Sequence, residues 1–157
     1  MQGDMDKIAI TYGTFDLFHI GHLRLLQKIK EIASKVIVAV STDEFNLIKG
    51  KSSIISFQNR FEIVSSLKYV DLVIPENNWD QKIEDIKKYN VDILVMGSDW
   101  VGKFDELKPF CEVEYLPRTE GVSSTTLRNS FVNLKSINLE ALDSALKLLA
   151  QIKKELA

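Results

Sequence analysis

The sequence predicts an α/β protein built on a mostly parallel sheet. Short apolar runs rich in β-branched residues alternate with longer segments in which apolar residues recur every three to four positions. This alternation is typical of parallel strands joined by right-handed crossover helices. Several short runs are almost continuously apolar, as expected for strands covered on both faces. With 157 residues, the chain is long enough for one domain with its own core.

The strands and helices follow in order along the chain. Five strands are predicted at Lys7–Tyr12, Lys35–Ser41, Asp71–Pro75, Asp92–Gly97 and Glu112–Pro117. Three amphipathic helices are predicted between them, from apolar stripes that start at Leu23, Phe57 and Trp79. Ser56 is placed to cap the second of these helices.

After Phe131 the sequence has no strand signal. Six apolar residues instead fall at three- and four-residue steps: Leu139, Leu142, Leu146, Leu149, Ile152 and Leu156. This spacing predicts an appended amphipathic helix over Asn138–Leu156. We therefore divide the chain into an α/β unit, residues 7–134, and a C-terminal helix, residues 135–157. The stripe indicates packing either on the α/β unit or on a partner helix.

Composition excludes several classes of partner. The formal net charge is −2 and there is no long basic run, which argues against nucleic acid or an anionic membrane surface. The single cysteine, Cys111, can form no internal disulfide, which favours a reducing cytoplasm. The polar N-terminus lacks the apolar core of a signal peptide, and no apolar run approaches the ~20 residues of a membrane span.

Both histidines of the chain lie in one stretch, GTFDLFHIGH, at the junction of the first strand and first helix. Gly13 permits a close turn there, and His19 and His22 share one side of the first helical turn. Unpaired N–H groups at a helix start favour phosphate, and Gly21 leaves room for a ligand. The alternatives are that both histidines cap or pack locally, or that they bind zinc, for which the chain offers no recognisable ligand spacing.

A second stretch, RTEGVSSTTLR, has the same form of strand end, glycine and hydroxyl-rich helix start. Ser123 and Ser124 can cap that helix or donate to a phosphate, and Arg118 adds a forked positive charge. Taken alone, the serines indicate a helix cap. Together with the first stretch, they predict a second anion-binding pole.

Two further stretches follow strand ends. GSDW supplies Asp99 and Trp100, a carboxylate and an aromatic suited to a ribose and a base. LIKGKSS places Lys49 and Lys51 around Gly50 in a loop. Such a pair is usually only solvated, but beside two anion poles it predicts a flexible phosphate clamp.

Five motifs, TYGTFDLFHIGH, STDEFN, YVDLVIPE, MGSDW and LPRTEGVSST, together resemble the glycerol-3-phosphate cytidylyltransferases of the nucleotidyltransferase superfamily over about residues 7–134. The HIGH element alone is shared with class I aminoacyl-tRNA synthetases and many adenylyltransferases. A synthetase would be far longer and would carry a KMSKS-type loop, which this sequence lacks.

The resemblance implies a Rossmann-like sheet, a homodimer, and transfer of CMP from CTP to a phosphorylated small alcohol, most simply glycerol 3-phosphate, with release of pyrophosphate. It implies Mg²⁺ with the CTP, and no metal ligand is assigned to the protein. Three alternatives stay open: another phosphorylated acceptor used for a surface polysaccharide, ATP in place of CTP, and a non-catalytic nucleotide-binding domain.

Site residues follow from the resemblance by position. It implies that the catalytic residues are His19, His22, Lys49, Arg118 and Ser123. The implied binding residues are Thr14, Phe15, Lys51, Lys68, Asp99, Thr119 and Ser124. Arg60 would be a further cation near the phosphates or a dimer edge. Lys68 stands where the family has arginine, and an ammonium holds a phosphate less directionally than a guanidinium.

Overall fold

The structure is a computed structural model that describes residues 6–156, with the side chains of residues 134–138 left undescribed. Its centre is a five-stranded sheet in the order β3-β2-β1-β4-β5, with every pair of neighbours parallel. The strands are β1 (Ile8–Gly13), β2 (Lys35–Ser41), β3 (Leu72–Glu76), β4 (Ile93–Gly97) and β5 (Glu112–Leu116). The predicted fold class is confirmed, and each strand lies within one residue of its predicted bounds.

Five α-helices connect and follow the strands. They are α1 (Ile20–Ile32), α2 (Asp43–Ile48), α3 (Phe57–Ser65), α4 (Gln81–Lys88) and α5 (Ser124–Glu155). Two 3₁₀ turns, Ser98–Trp100 and Asp105–Leu107, lie between β4 and β5. Helix α2 is absent from the sequence prediction because its six residues are too few to show a helical stripe. It starts at Thr42, whose hydroxyl accepts the Phe45 amide at 3.2 Å.

The sheet is covered on both faces, as its apolar strands predict. Along β2, Val36, Val38 and Val40 face one side, where residues of α1 and α3 pack. Ile37 and Ala39 face the other side, against α4 and the second 3₁₀ turn. All five of these β2 side chains are fully buried.

The strand order fixes where a ligand would bind. From β1 the chain continues to β2 and β3 on one side, and to β4 and β5 on the other, so the order reverses between β1 and β4. Crevices of this kind, outside the carboxyl ends of the strands, are the usual binding sites of open α/β sheets. Gly13, Ser41, Glu76 and Gly97 end their strands at this edge.

The chain divides into two compact units, one ending at Val122 and one running from Ser123 onward. The second unit is helix α5, which begins at Ser124 rather than at Asn138 and spans 32 residues. The sequence predicted a capped helix start at Ser123 and Ser124 and an amphipathic helix from Asn138, and the structure joins the two in one helix. Among the described residues, no helix combines the length and the apolar character needed to cross a membrane.

Candidate active site

The two histidines form the N-terminal cap of α1. His19 is the N-cap residue, and its Nδ1 accepts the Gly21 amide at 3.0 Å. His22 reaches back, and its Nδ1 accepts the His19 amide at 3.2 Å. This is a capping box in which imidazoles replace the usual hydroxyl and carboxamide. The local capping interpretation is therefore part of what these residues do.

Capping also fixes the protonation of both rings. Because each Nδ1 accepts a hydrogen bond, each neutral imidazole carries its proton on Nε2. Burial and the neighbouring His19 lower the pKa of His22 to about 3, with Asp16 opposing and Arg118 adding to the decrease. Burial and Arg118 also lower the pKa of His19. The rings stack with centroids 3.9 Å apart, so the site presents two adjacent neutral N–H donors.

Glycines at two positions make room for this arrangement. A Cβ on Gly21 would lie 2.8 Å from Cε1 of His19, so the glycine accommodates the capping ring itself. A Cβ on Gly13 would lie 2.9 Å from the Phe15 ring, which is buried and contacts His22 at a centroid distance of 5.3 Å. Phe15 thus supports His22 from the core side.

The loop between β1 and α1 is held in an uncommon conformation. Phe15 and Leu17 have φ values of +54° and +49°, a region that costs non-glycine residues about 1–3 kcal/mol each. Asp16 lies between them, and its buried carboxylate accepts the amides of Ile54 and Ile55 at 2.8 and 2.9 Å. This carboxylate fixes the histidine loop against the chain segment that precedes α3.

Arg60 stabilises the same loop region by hydrogen bonds from the protein interior. Its fully buried guanidinium donates to the carbonyl oxygens of Thr14, Ser41 and Ile55 at 2.7–2.8 Å, and to Asp43 at 2.7 Å. These bonds tie the ends of β1 and β2 together. In this chain Arg60 organises the backbone from the interior rather than presenting a charge at an edge.

Arg118 and Asp99 lie together in the first unit. Arg118 Nη1 is 3.1 Å from Asp99 Oδ2, with both side chains more than half exposed. An exposed pair of this kind stabilises the fold little and can exchange partners with a ligand. Arg118 is also close enough to lower the pKa of both histidines. Thr119 follows it, and a Cβ on Gly21 would lie 3.8 Å from the Thr119 Cβ.

Lys49 belongs to a buried ionic cluster. Its ammonium donates to Ser41 Oγ at 2.8 Å and lies 3.8 Å from Glu76 Oε2. The buried Lys82 donates to Glu76 Oε1 at 2.9 Å. Burial lowers the pKa of Lys49, and Glu76 acts in the opposite direction. One carboxylate thus faces two ammonium groups, which leaves the cluster with a net positive charge.

Aromatic rings surround these lysines. Lys49 Nζ lies 4.5 Å from the Phe45 ring centroid, and Lys82 Nζ lies 4.3 Å from that of Tyr12. Lys51 is exposed, and its Nζ lies 5.9 Å from the centroid of Trp100. Of the two predicted clamp lysines, one is therefore held in place and the other lies free at the surface beside an aromatic ring.

Thr14 donates to Asn46 Oδ1 at 3.0 Å, which fixes its hydroxyl against α2. Ser123 caps α5, with its Oγ accepting the Thr126 amide at 3.0 Å, and Ser124 is the first helical residue. Both serines lie in the second unit, at the start of α5. Their assignment to a CTP site stays a prediction.

Lys68 lies apart from these groups within the first unit. It is exposed just before β3, at the amino end of the strands, with its Nζ 5.0 Å from the Tyr69 ring centroid. Tyr69 in turn accepts a hydrogen bond from Gln27, in the middle of α1. The histidines and Lys49 lie at the carboxyl ends. The predicted role of Lys68 in binding gains no support from the geometry of this chain.

Four polar residues of the site were not assigned a role from the sequence: Asp16, Asn46, Glu76 and Lys82. All four are buried. Asp16, Asn46 and Glu76 lie inside the motifs GTFD, STDEFN and VIPE, and only Glu76, a charge that ends an apolar strand, gave a signal of its own. Lys82 lies among the apolar residues of α4. Its only signal in the sequence is that it is a charged residue on a helix face that is otherwise apolar.

Comparison with known proteins shows the family of this chain. The model of the cytidylyltransferase-like family matches residues 10–130. Glycerol-3-phosphate cytidylyltransferase of Bacillus subtilis (strain 168) is 53% identical over 128 residues, which are 82% of this chain and 99% of that protein. The enzyme of the same name from Staphylococcus aureus (strain NCTC 8325 / PS 47) is 53% identical over 78% of this chain and 92% of its own length. The chain belongs to the cytidylyltransferase-like family of nucleotidyltransferases, and the resemblance drawn from the five motifs is confirmed.

A solved structure supports the fold independently. The lipopolysaccharide core biosynthesis protein from Thermoplasma volcanium GSS1 superposes with a TM-score of 0.62 over 73% of this chain and 98% of its own, at 22% identity. At this identity, the likeness concerns the fold alone.

Proposed function

We propose that the protein transfers CMP from CTP to glycerol 3-phosphate, giving CDP-glycerol and pyrophosphate. The observation that carries the proposal is the pair of neutral imidazoles at the start of α1, with both Nδ1 atoms used for capping and both Nε2–H groups left as donors. Relatives named glycerol-3-phosphate cytidylyltransferase that are more than half identical to this chain supply the choice of substrates.

Catalysis of this reaction requires mainly that the protein position the two substrates and stabilise the charge that develops between them. A phosphate oxygen of the acceptor attacks the α-phosphorus of CTP in line, the bond to the bridging oxygen breaks, and pyrophosphate leaves. The acceptor phosphate is already ionised at pH 7 and needs no covalent intermediate. His19 and His22 would donate their Nε2–H groups to oxygens that gain negative charge. Preorganised donors of this kind act mainly in the transition state.

We expect different cationic side chains to bind the two substrates. Arg118 can leave its exposed pair with Asp99 and bind the triphosphate, while Asp99 accepts from a ribose hydroxyl. The cluster of Lys49, Lys82 and Glu76 carries a net positive charge and would hold the acceptor phosphate. Lys51, exposed beside Trp100, completes the clamp that the sequence predicts.

Magnesium would enter with the nucleotide rather than in a protein cage. Among the described residues, no three His, Cys, Asp or Glu side chains are grouped so as to hold a metal ion. Mg²⁺ is commonly bound by substrate phosphates and waters with few protein ligands. We therefore assign no protein ligand to Mg²⁺. A cytoplasmic location, where CTP is available, completes the proposal.

The test is pyrophosphate release from CTP with a panel of phosphorylated acceptors. We expect glycerol 3-phosphate to give the highest kcat/KM, and ATP in place of CTP to give little product. If another phosphorylated alcohol gives the higher value, the acceptor is corrected and the chemistry stands. If no acceptor supports release, the protein is a nucleotide-binding domain without this activity.

A further inference from the structure

Tyr12 connects the strand that leads into the histidine loop with the helix that carries Lys82. It lies near the end of β1, the central strand of the sheet, and it is buried. Its hydroxyl donates to Asp85 Oδ2 at 2.9 Å. Burial and the neighbouring Asp85 raise the pKa of Tyr12 well above its ordinary value, so the phenol keeps its proton and acts as a donor. The proposed reaction uses neither Tyr12 nor Asp85.

The Tyr12 ring also lies beneath the ammonium group of Lys82. Lys82 Nζ is 4.3 Å from the centroid of this ring, closer than to the rings of Trp79 and Phe104, at 5.1 and 5.4 Å. Lys82 and Asp85 are three positions apart on α4, so they lie on one side of the helix about one turn apart. The ring and the hydroxyl of Tyr12 thus contact two successive turns of α4, and the ring supports the Lys82 side chain.

Asp85 is also bonded toward the partner of Lys82. Its Oδ2 accepts Gln81 Nε2 at 2.9 Å, and the same nitrogen donates to the carbonyl oxygen of Pro75 at 3.0 Å. Pro75 directly precedes Glu76, whose Oε1 accepts from Lys82 at 2.9 Å. Asp85 is therefore connected both to the aromatic ring beneath Lys82 and to the strand end that carries the carboxylate of the ion pair.

Lys82 has N–H groups available for a ligand. An ammonium group has three of them, and among the described residues that of Lys82 donates to Glu76 alone. The Lys82 side chain is only 4% exposed, so the position of its nitrogen is set by the groups that pack around it. A phosphate bound at the ionic cluster would accept from the remaining N–H groups.

We propose that Tyr12 and Asp85 are positioning residues, which hold Lys82 where it binds the acceptor phosphate. The inference rests on the proposed function, in which the ionic cluster around Glu76 binds that phosphate. Strand β1 ends at Gly13 and leads directly into the histidine loop. One strand therefore locates both the cation that binds the acceptor and the loop that binds the triphosphate. In-line attack depends on this relative position, because the reacting atoms must be held about 3–3.5 Å apart.

Two variants remove the hydrogen bond from either side, and each has a matched control. Tyr12→Phe removes the hydroxyl and keeps the ring, whereas Tyr89→Phe removes the hydroxyl of a partly buried tyrosine at the far end of α4. Asp85→Ala removes the carboxylate, whereas Glu84→Ala removes the exposed carboxylate beside it. The measurements are kcat, KM for glycerol 3-phosphate, KM for CTP, and Tm for each variant.

We expect Tyr12→Phe and Asp85→Ala each to raise KM for glycerol 3-phosphate about three- to tenfold, with KM for CTP almost unchanged and both controls close to wild type. The sign of the Asp85→Ala effect separates positioning from charge. Loss of a negative charge near the cluster would by electrostatics alone favour an anionic acceptor and lower its KM, so a rise reports lost positioning. In a Lys82→Met background, Tyr12→Phe should cause no further rise, because the residue that it positions is gone.

Other outcomes overturn the inference. If Tyr12→Phe and Asp85→Ala lower Tm but leave KM for glycerol 3-phosphate like that of the controls, the pair serves the fold only. If Asp85→Ala lowers this KM, charge rather than position governs acceptor binding. A further rise in the Lys82→Met background would show that Tyr12 does not act through Lys82. All three results leave the proposed function intact, whereas a wild-type chain that releases no pyrophosphate would refute the proposed function and this inference with it.

Discussion

His19 does two things in this structure, and one pair of substitutions separates them. Its Nδ1 caps α1 by accepting the Gly21 amide, and its Nε2–H is the donor assigned to the triphosphate. His19→Asn keeps a side-chain acceptor of the type preferred at this position and removes the Nε2–H group. His19→Ala removes both. The two variants should therefore differ in stability and agree in activity.

The expected magnitudes follow from each lost interaction. Loss of an N-cap acceptor costs about 1 kcal/mol, which for a chain of this size lowers Tm by roughly 2–4 °C, so only the alanine variant should show this decrease. Loss of one preorganised donor to developing charge costs about 10²–10³-fold in kcat, and both variants should show it. KM for CTP should change much less, because the donor acts mainly in the transition state.

The assay is pyrophosphate release at saturating CTP and glycerol 3-phosphate, with thermal unfolding measured on the same preparations. An asparagine variant with turnover near that of wild type would refute the donor role of His19. An alanine variant as stable as wild type would refute the capping role. Because the readouts are independent, either part of the reasoning can fail without the other.

Three further substitutions test other parts of the site. The pKa of His22 is about 3 in the folded chain, against an ordinary value of 6.5. Between these two pH values the unfolded chain binds one proton more than the folded chain. The free energy of unfolding should therefore fall by about 1.4 kcal/mol per pH unit as the pH drops. His22→Gln, which keeps an acceptor for the capping box, should flatten this slope in urea unfolding. Gly21→Ala should lower kcat because its Cβ would lie 2.8 Å from the His19 ring and displace it. In a His19→Asn background the same substitution should cause no further loss of kcat. Losses that add in the double variant would show that Gly21 does not act through the His19 ring. Lys82→Met neutralises the charge excess around Glu76 and should raise KM for the acceptor about tenfold or more, with KM for CTP almost unchanged; an unaltered acceptor KM would count against this assignment.

The fold was predictable because its signals are local. Each strand is a short run of apolar β-branched residues, and burial on both faces requires such a run wherever the strand lies in the sheet. Helix α2 escaped prediction because a six-residue helix is defined by its cap at Thr42 rather than by a periodic face. The start of α5 was predicted at Ser123 and Ser124, but its continuity with the C-terminal segment was not, because the residues between them form no clear apolar stripe.

The contacts within the site were simplest to predict where its residues are close in the sequence. His19 and His22 are three residues apart, so their meeting on one helical turn could be foreseen. Glu76 and Lys49 come from β3 and from the end of α2, and only the sheet brings them together. The role of Arg60 was predicted wrongly for a different reason. Its charge indicated a position near the surface, but its hydrogen bonds to backbone carbonyl groups place it inside the protein.

The ionic cluster also explains how a chain of net charge −2 can favour anionic substrates. Bulk charge governs long-range attraction, and salt screens it within about 10 Å. The charge that matters at the strand ends is local. Lys49 and Lys82 share the single carboxylate of Glu76 in a buried, aromatic setting, where water screens the remaining positive charge poorly. In the proposed function, the acceptor phosphate would supply the negative charge that balances the second lysine. The proposed phosphate site therefore depends on the local charge of this cluster rather than on the net charge of the chain.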